Sequence, residues 1–225
     1  MKLSIIVPVY NEINTIAEIL RQTKEADFEK EIIVVDDGSR DGTREFLENY
    51  KDSLVKKIFH SKNQGKGACI RDALEEVSGD IVIIQDADLE YHPDEYTKLV
   101  RLITQNKADV VYGSRFIGEH RCFLFTHLIG NKLVNLIANI LYNTTLTDVT
   151  GGQKVFKAGI FNDIEIKSNR FGFEAEITAK IFKRRLRVYE VPICYSGRTY
   201  KEGKKIKWYD FFPMVYWLIR TRFID

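Results

Sequence analysis

The sequence is poor in several things, and each shortage excludes a class of protein. It has only three cysteines, Cys69, Cys122 and Cys194, odd in number and far apart. That excludes a disulfide framework or a cysteine-rich zinc site, and it suits a reducing compartment. No apolar stretch reaches the roughly 18–20 residues needed to span a bilayer, so the chain reads as soluble or peripheral. A strand-like run, residues 3–7, follows the first Met directly, and no leader segment is expected. An excess of one charge is also missing. Against 34 Lys and Arg stand 32 Asp and Glu, and nothing global points to nucleic acid. Neither G-x-x-x-x-G-K-[ST] nor G-x-G-x-x-G occurs, which argues against a Walker loop and a dinucleotide-binding dehydrogenase. Internal repeats, low-complexity stretches and Pro/Ser-rich linkers are absent. The simplest organisation of the 225 residues is one domain over 1–207 and a C-terminal segment over 208–225.

What is present is alternation. Short β-branched runs at residues 3–7, 31–35, 54–59, 81–85 and 110–112 read as strands. Between them, helices are expected over 14–23, 43–50, from 67 onward, and over 94–105. The helix over 14–23 places Ile16, Ile19, Leu20 and Thr23 on one face. This order predicts an α/β fold with a mostly parallel sheet covered on both faces. Later, Leu133, Leu136, Ile137, Ile140 and Leu141 mark an amphipathic helix. Short strands at 154–156 and 187–191 flank a helix over 174–184.

The most informative feature is Asp86-Ala87-Asp88, which follows the buried-strand run Ile81-Val82-Ile83-Ile84-Gln85. Two carboxylates at a strand's carboxyl end lie where open α/β sheets bind ligands. Such oxygens suit a hard divalent cation whose coordination substrate phosphates complete. Three more polar clusters fall at predicted strand ends or helix starts. They are Pro8-Val9-Tyr10-Asn11-Glu12, then Asp36-Asp37-Gly38-Ser39-Arg40-Asp41-Gly42-Thr43, then Asn63-Gln64-Gly65-Lys66-Gly67. Each alone reads as a turn. Together they would converge on one sheet edge, and Lys66 at a helix start would face a phosphate.

The ordered set V-P-V-Y-N-E, V-V-D-D-G-S-x-D-G-T, N-x-G-K-G and D-A-D resembles the family 2 inverting glycosyltransferases of GT-A fold. Gly113-Ser114-Arg115, the Phe171-Gly172-Phe173-Glu174 helix start and the run from Tyr195 to Lys205 narrow the likeness to polyprenol-phosphate hexosyltransferases. This resemblance implies a GT-A nucleotide-sugar-binding fold with a C-terminal amphipathic extension. It implies that Pro8, Tyr10 and Glu12 line the nucleotide pocket, that Asp37 contacts the base, and that Asp86 lies near the nucleotide. It further implies that Asp88 binds Mg²⁺ or Mn²⁺. Where such enzymes often carry glutamine two residues on, this chain has Glu90, a carboxylate fit for the same cation. His127 stands for the histidine or arginine expected after G-S-R.

The acceptor follows from chemistry. A hydroxyl acceptor needs a general base, whereas a lipid phosphate is already anionic and needs cationic positioning. No Q-x-x-R-W motif occurs, and Arg115, Arg198, Lys204 and Lys205 fit the phosphate. Arg115 and Arg198 are both expected in polar loops. Residues 208–223 mix aromatics with cations, which suits a membrane interface or a helix packed on the domain or in a homodimer. The reading is therefore metal-dependent, inverting hexose transfer from GDP-mannose or a UDP-hexose to a polyprenyl or dolichyl phosphate, at the cytoplasmic face of a membrane. Two alternatives stay open. One is transfer to a glycan or protein hydroxyl, with Glu174 or Glu176 as base. The other is a non-catalytic nucleotide-sugar-binding module.

Overall fold

The computed structural model describes residues 1–122, 124–199, 202, 203, 205 and 208–224. Strands β1 (Leu3–Val9), β2 (Lys30–Asp36), β3 (Val55–Phe59) and β4 (Ile81–Ile84) alternate with helices α1 (Ile16–Glu25), α2 (Thr43–Asn49) and α3 (Lys66–Leu74). Then come α4 (Tyr96–Thr104), β5 (Val110–Ser114), α5 (Phe125–Tyr142), β6 (Lys154–Lys157), α6 (Phe173–Lys183), β7 (Val188–Pro192) and α7 (Phe211–Phe223). Among the described residues these strands form one sheet in the order β3-β2-β1-β4-β6-β5-β7. The sheet is mostly parallel, as the alternation predicts. β6 runs antiparallel to both β4 and β5.

Strand alternation explains the two cores. Ile5, Val7, Ile32, Val34 and Ile83 pack on one face with Ile16, Ile19 and Leu20 of α1 and Leu99 and Ile103 of α4. Ile6, Ile33, Val35, Val82 and Ile84 pack on the other with Ile70 of α3 and Ile177 and Ile181 of α6. A strand covered on both sides has no polar face to show, which is why β4 reads as an uninterrupted apolar run. The chain leaves β1 toward β2 on one side and toward β4 on the other. That reversal opens a crevice at the carboxyl ends of β1, β2 and β4. Because β6 is antiparallel, its amino end points to the same edge and brings Gly151, Gly152 and Lys154 there.

Helix α5 departs from the sequence expectation. Its buried residues are Val134, Asn135 and Ala138, and Asn143 ends it in a left-handed conformation, φ 51°. Ile137 and Leu141 are partly buried against the core. Leu133, Leu136 and Ile140 face outward, Ile140 being 71% exposed, and Phe125 and Ile129 are exposed with them. The apolar stripe is thus divided between the core and the surface. Asn135 faces inward beside Val134 and Ala138, bonding the Thr147 carbonyl and accepting from the Val149 amide. Helix α7 lies against α5 and α6, burying Met214, Leu218 and Thr221. The Tyr142 hydroxyl donates to the Leu218 carbonyl at 2.7 Å. Phe212, Tyr216, Ile219 and Phe223 of α7 stay exposed.

Candidate active site

The crevice is a cavity of about 370 Å³. Its walls include Pro8, Tyr10 and Glu12 from the β1 loop, Asp37 from the β2 loop, Lys66 from the start of α3, and Asp86, Asp88 and Glu90 from the β4 loop. Arg115, His127, Arg198 and Lys205 line it too, so the sequence-predicted residues within the described segments share one space. Lys204 lies outside the described residues.

The acidic turn is curled by its backbone. Leu89 takes a left-handed conformation, φ 60°, which for a branched non-glycine residue stores strain of about 1–3 kcal/mol. The curl lets the Glu90 amide donate to Asp88 Oδ1 at 3.1 Å and turns both side chains inward. Tyr195 fixes Glu90, donating from its hydroxyl to Oε2 at 2.6 Å. Burial pushes the Asp88 carboxyl up to about 7. The Asp86 and Glu90 charges add to this, and Arg198 opposes it. Crowded, half-dry carboxylates of this kind form a hard oxygen donor set, and Asp88 with Glu90 fits a divalent cation.

Cations close the acidic cluster. The Arg198 guanidinium bridges Glu12 Oε1 at 2.9 Å and Asp88 Oδ2 at 3.2 Å, and its backbone amide donates to Glu90 Oε1 at 2.7 Å. Lys205 reaches Glu12 Oε1 at 2.6 Å and sits 5.8 Å from the Tyr10 ring centre. Burial works to raise the Glu12 carboxyl, but Arg198 and Lys205 outweigh it and hold it below the usual carboxylate range.

Lys66 pairs with Asp86 at 2.7 Å and with Glu174 at 3.0 Å. Burial disfavours its charge, yet the two carboxylates prevail and raise it. Glu174 is also paired with the fully buried Lys154, which donates to the Gly151 carbonyl as well. Lys154, Glu174, Lys66 and Asp86 thus form one chain of alternating charge. The backbone at Gly65, φ 103°, passes so close to the 169–170 segment that a Cβ would sit 2.3 Å from the Asn169 carbonyl oxygen. Only glycine lets Lys66 begin the helix there.

Arg115 requires a correction. It lies in the loop after β5, as expected, but its side chain is buried. It follows β5 directly, is 6% exposed, and holds Asp148 through two bonds of 2.7 Å. It also donates to Thr150 Oγ1 at 2.8 Å and stacks 5.1 Å from the Tyr195 ring centre. Its guanidinium therefore braces the fold as well as facing the cavity. Glu176, by contrast, does not line the cavity: it accepts the Lys167 and Ser168 amides at 2.9 and 2.7 Å and pairs with Lys180.

Sequence reasoning missed Asp148, Lys154 and His60. A lysine inside the strand run Lys154-Val155-Phe156 was the available sign of a buried charge. Asp37, His60 and Cys69 are also clustered, with their ligand atoms within 4.8 Å of one another. Within this trio the His60 and Asp37 side chains are hydrogen-bonded at 2.8 Å.

A doubly covered, mostly parallel sheet with a D-x-D turn at its carboxyl edge, faced by a basic arm, defines a glycosyltransferase of GT-A fold. The sequence model described as Glycosyl transferase family 2 matches residues 4–165, and the chain belongs to that family. Among curated relatives it is 30% identical over 197 residues to Glycosyltransferase AglJ of Haloferax volcanii, covering 86% of this chain and 63% of that protein. It is 28% identical over 217 residues to Undecaprenyl-phosphate mannosyltransferase of Micrococcus luteus, covering 91% and 87%. It is 28% identical over 211 residues to Dolichol-phosphate mannosyltransferase of Pyrococcus furiosus, covering 91% and 59%. The chain therefore spans about three fifths of the Haloferax and Pyrococcus proteins. Among solved structures, glucosyl-3-phosphoglycerate synthase from Mycobacterium tuberculosis with Mn²⁺, UDP and phosphoglyceric acid superposes with a TM-score of 0.72. It is 20% identical, covering 98% of this chain and 76% of that one, and it shares the fold. The same enzyme was also solved with Mg²⁺ and UDP.

Proposed function

We propose that this chain transfers a hexose from a nucleoside-diphosphate sugar, GDP-mannose or a UDP-hexose, to a polyprenyl or dolichyl phosphate. The transfer inverts the anomeric carbon and uses Mg²⁺ or Mn²⁺. One observation supports this best: an acidic cluster and a cationic cluster face the same cavity, and neither candidate base is free. Glu174 is held between Lys66 and Lys154, and Glu176 is spent on backbone amides and Lys180. A hydroxyl acceptor would need such a base, whereas a phosphate oxygen attacks as the anion.

In this reading Pro8, Tyr10, Glu12, Asp37, Lys66 and Asp86 form the nucleotide subsite. Asp88 and Glu90 hold the cation, which when bound supplies positive charge to the leaving diphosphate. Arg115, Arg198, His127 and Lys205 orient the acceptor phosphate, and Lys204 is assigned the same role. The names of the Micrococcus and Pyrococcus relatives support a lipid-phosphate acceptor and mannose as the sugar.

The lipid would approach across α5 and α7. Leu124, His127 and Asn131 at the start of α5 and Met214 of α7 line the cavity. The outer faces of the two helices expose Phe125, Ile129, Leu133, Leu136 and Ile140 with Phe212, Tyr216 and Phe223. No helix among the described residues is long and apolar enough to cross a membrane. A face of this kind, rich in aromatics beside Arg220 and Arg222, suits the interfacial zone of a bilayer. We therefore read residues 208–225 as the interfacial segment of the 1–207 domain, acting at the cytoplasmic face of a membrane. A homodimer is the competing occupant of the same face.

Thermal-shift titration with GDP-mannose, UDP-glucose and UDP-N-acetylglucosamine, each with Mn²⁺, identifies the donor, since a ligand bound to the native state raises its stability. Extraction of labelled product into organic solvent then tests the acceptor. The expected product is a lipid-linked hexose, lost on EDTA treatment and in Asp88→Asn. Turnover that persists without metal, or that accepts only hydroxyl compounds, would overturn the assignment.

A further inference from the structure

Behind Asp37 of the nucleotide subsite lies a side chain that no motif singles out. His60 follows β3, is 5% exposed, and has a carboxylate on each ring nitrogen. Its Nδ1 lies 2.8 Å from Asp37 Oδ1 and its Nε2 lies 2.9 Å from Asp72 Oδ2. An ionised carboxylate oxygen only accepts, so a ring nitrogen that carries a proton donates it to the acid it faces. The backbone holds the ring in place, with the His60 amide donating to the Asp36 carbonyl at 2.9 Å. Arg44 clamps the same corner, bonding Asp36 Oδ2 at 3.0 Å and the His60 carbonyl.

Asp37 is therefore held from several directions. Besides His60, it accepts the Gln64 amide on Oδ1 and the Gly65 amide on Oδ2, each at 2.8 Å. The Cys69 sulfur lies within 4.8 Å of the facing Asp37 and His60 atoms. A carboxylate has about four acceptor positions, and His60, Gln64 and Gly65 fill three of them. Asp37 lines the cavity beside Pro8, Asn63 and Cys69. A fixed acceptor facing a ligand there, with acceptor capacity left on Oδ2, suits a partner that brings an N–H.

We propose that His60 is a positioning residue for Asp37. With Asp72 behind it, it holds Asp37 as a rigid acceptor and so makes the cavity selective for nucleobases with a ring N–H. Uracil and guanine carry that donor. Cytosine and adenine present a ring acceptor at the equivalent edge, and two acceptors face to face repel. The proposal rests on the reading that Asp37 contacts the base.

The test is calorimetry of UDP, GDP, CDP and ADP, each with Mn²⁺, on the wild type and on Asp37→Asn, His60→Gln and Asp72→Asn. The wild type is expected to bind UDP or GDP at least about tenfold tighter than CDP or ADP, the scale of one hydrogen bond to a charged group. Asp37→Asn should erase that ratio. His60→Gln should weaken the preferred nucleotide about tenfold while CDP changes less than about twofold, raising donor KM with kcat nearly constant. Asp72 is partly exposed, its side chain at 37%, so Asp72→Asn leaves the core intact and should move the ratio about threefold in the same direction. If Asp37→Asn keeps the ratio, Asp37 is not the base contact and the underlying reading fails. If Asp37→Asn erases it while His60→Gln and Asp72→Asn keep it, His60 does not position Asp37. Equal weakening of all four nucleotides in His60→Gln, or a fall in kcat with unchanged KM, would equally overturn the proposal. Should His60→Gln fail to fold, Asp72→Asn decides by the same criterion.

Discussion

Replacing Arg115 with methionine separates its two tasks. The side chain is almost fully buried, and its partner Asp148 is entirely so. Two parallel bonds of 2.7 Å join them, and Asp148 Oδ2 also accepts the Arg115 amide at 3.0 Å. Methionine fills much of the volume but leaves a buried carboxylate without its counter-charge. Removing one partner of such a pair costs about 3–5 kcal/mol. For a chain of this size each kcal/mol lowers the melting temperature by about 2–4 °C, so a drop of roughly 6–20 °C is expected. Asp148→Asn removes the other charge, and the double variant should be more stable than the sum of the two losses predicts. The coupling in that cycle should reach about 1–3 kcal/mol. Circular dichroism melts and urea titrations on the four proteins measure it. A drop below about 2 °C in Arg115→Met, or a cycle additive within about 0.5 kcal/mol, would refute the claim that this pair braces the site. Arg115→Lys keeps the charge but loses the planar fork. It should melt higher than Arg115→Met and still transfer sugar poorly.

Arg198→Lys should cut turnover at least about tenfold while shifting the melting temperature by less than about 3 °C, because it and its partners Glu12, Asp88 and Glu90 line the cavity and belong to neither hydrophobic core. Full activity, or unfolding as the main effect, would count against its phosphate role. Burial works to raise Glu31, but hydrogen bonds from Ser4 and Ser78 outweigh it and hold the carboxyl at about 2. A carboxyl lowered on folding stabilises the protein above its unfolded value near 4.5, and that contribution is lost as pH falls from there toward about 2. Glu31→Gln should therefore cost about 1–3 kcal/mol at pH 7 and much less at pH 3, and equal urea midpoints for both proteins at pH 7 would sink this. Phe212→Ser with Phe223→Ser, both on the outer face of α7, should weaken co-sedimentation with anionic vesicles at least about threefold and raise KM for a long polyprenyl phosphate more than for a short soluble analogue. Trp217 would be a poor probe, since it packs beside Gly172 and its loss would disturb α6. Unchanged vesicle binding would assign that face to another copy of the chain.

Much of this protein was legible in its sequence because the relevant physics is local. Short runs rich in β-branched residues and closed by turn residues read as strands buried on both sides, and β1, β2 and β4 are. Turn-forming acids and glycines directly after those strands had to gather on one edge once the strands lay parallel, so Glu12, Asp37, Asp86, Asp88 and Glu90 share a cavity. Pairings across the chain were not legible. Arg198 meets Asp88 across 110 residues and Glu12 across 186, and no periodicity encodes such a meeting. Lys154 reaches Glu174 because β6 enters the sheet antiparallel between β4 and β5, a choice of strand order made by packing. The same holds for α5. Its sequence shows an apolar stripe, but only the tertiary structure reveals that Leu133, Leu136 and Ile140 of that stripe point away from the core. A side chain's hydrophobicity says that it seeks cover, whereas the packing of neighbouring elements decides whether the chain itself provides it.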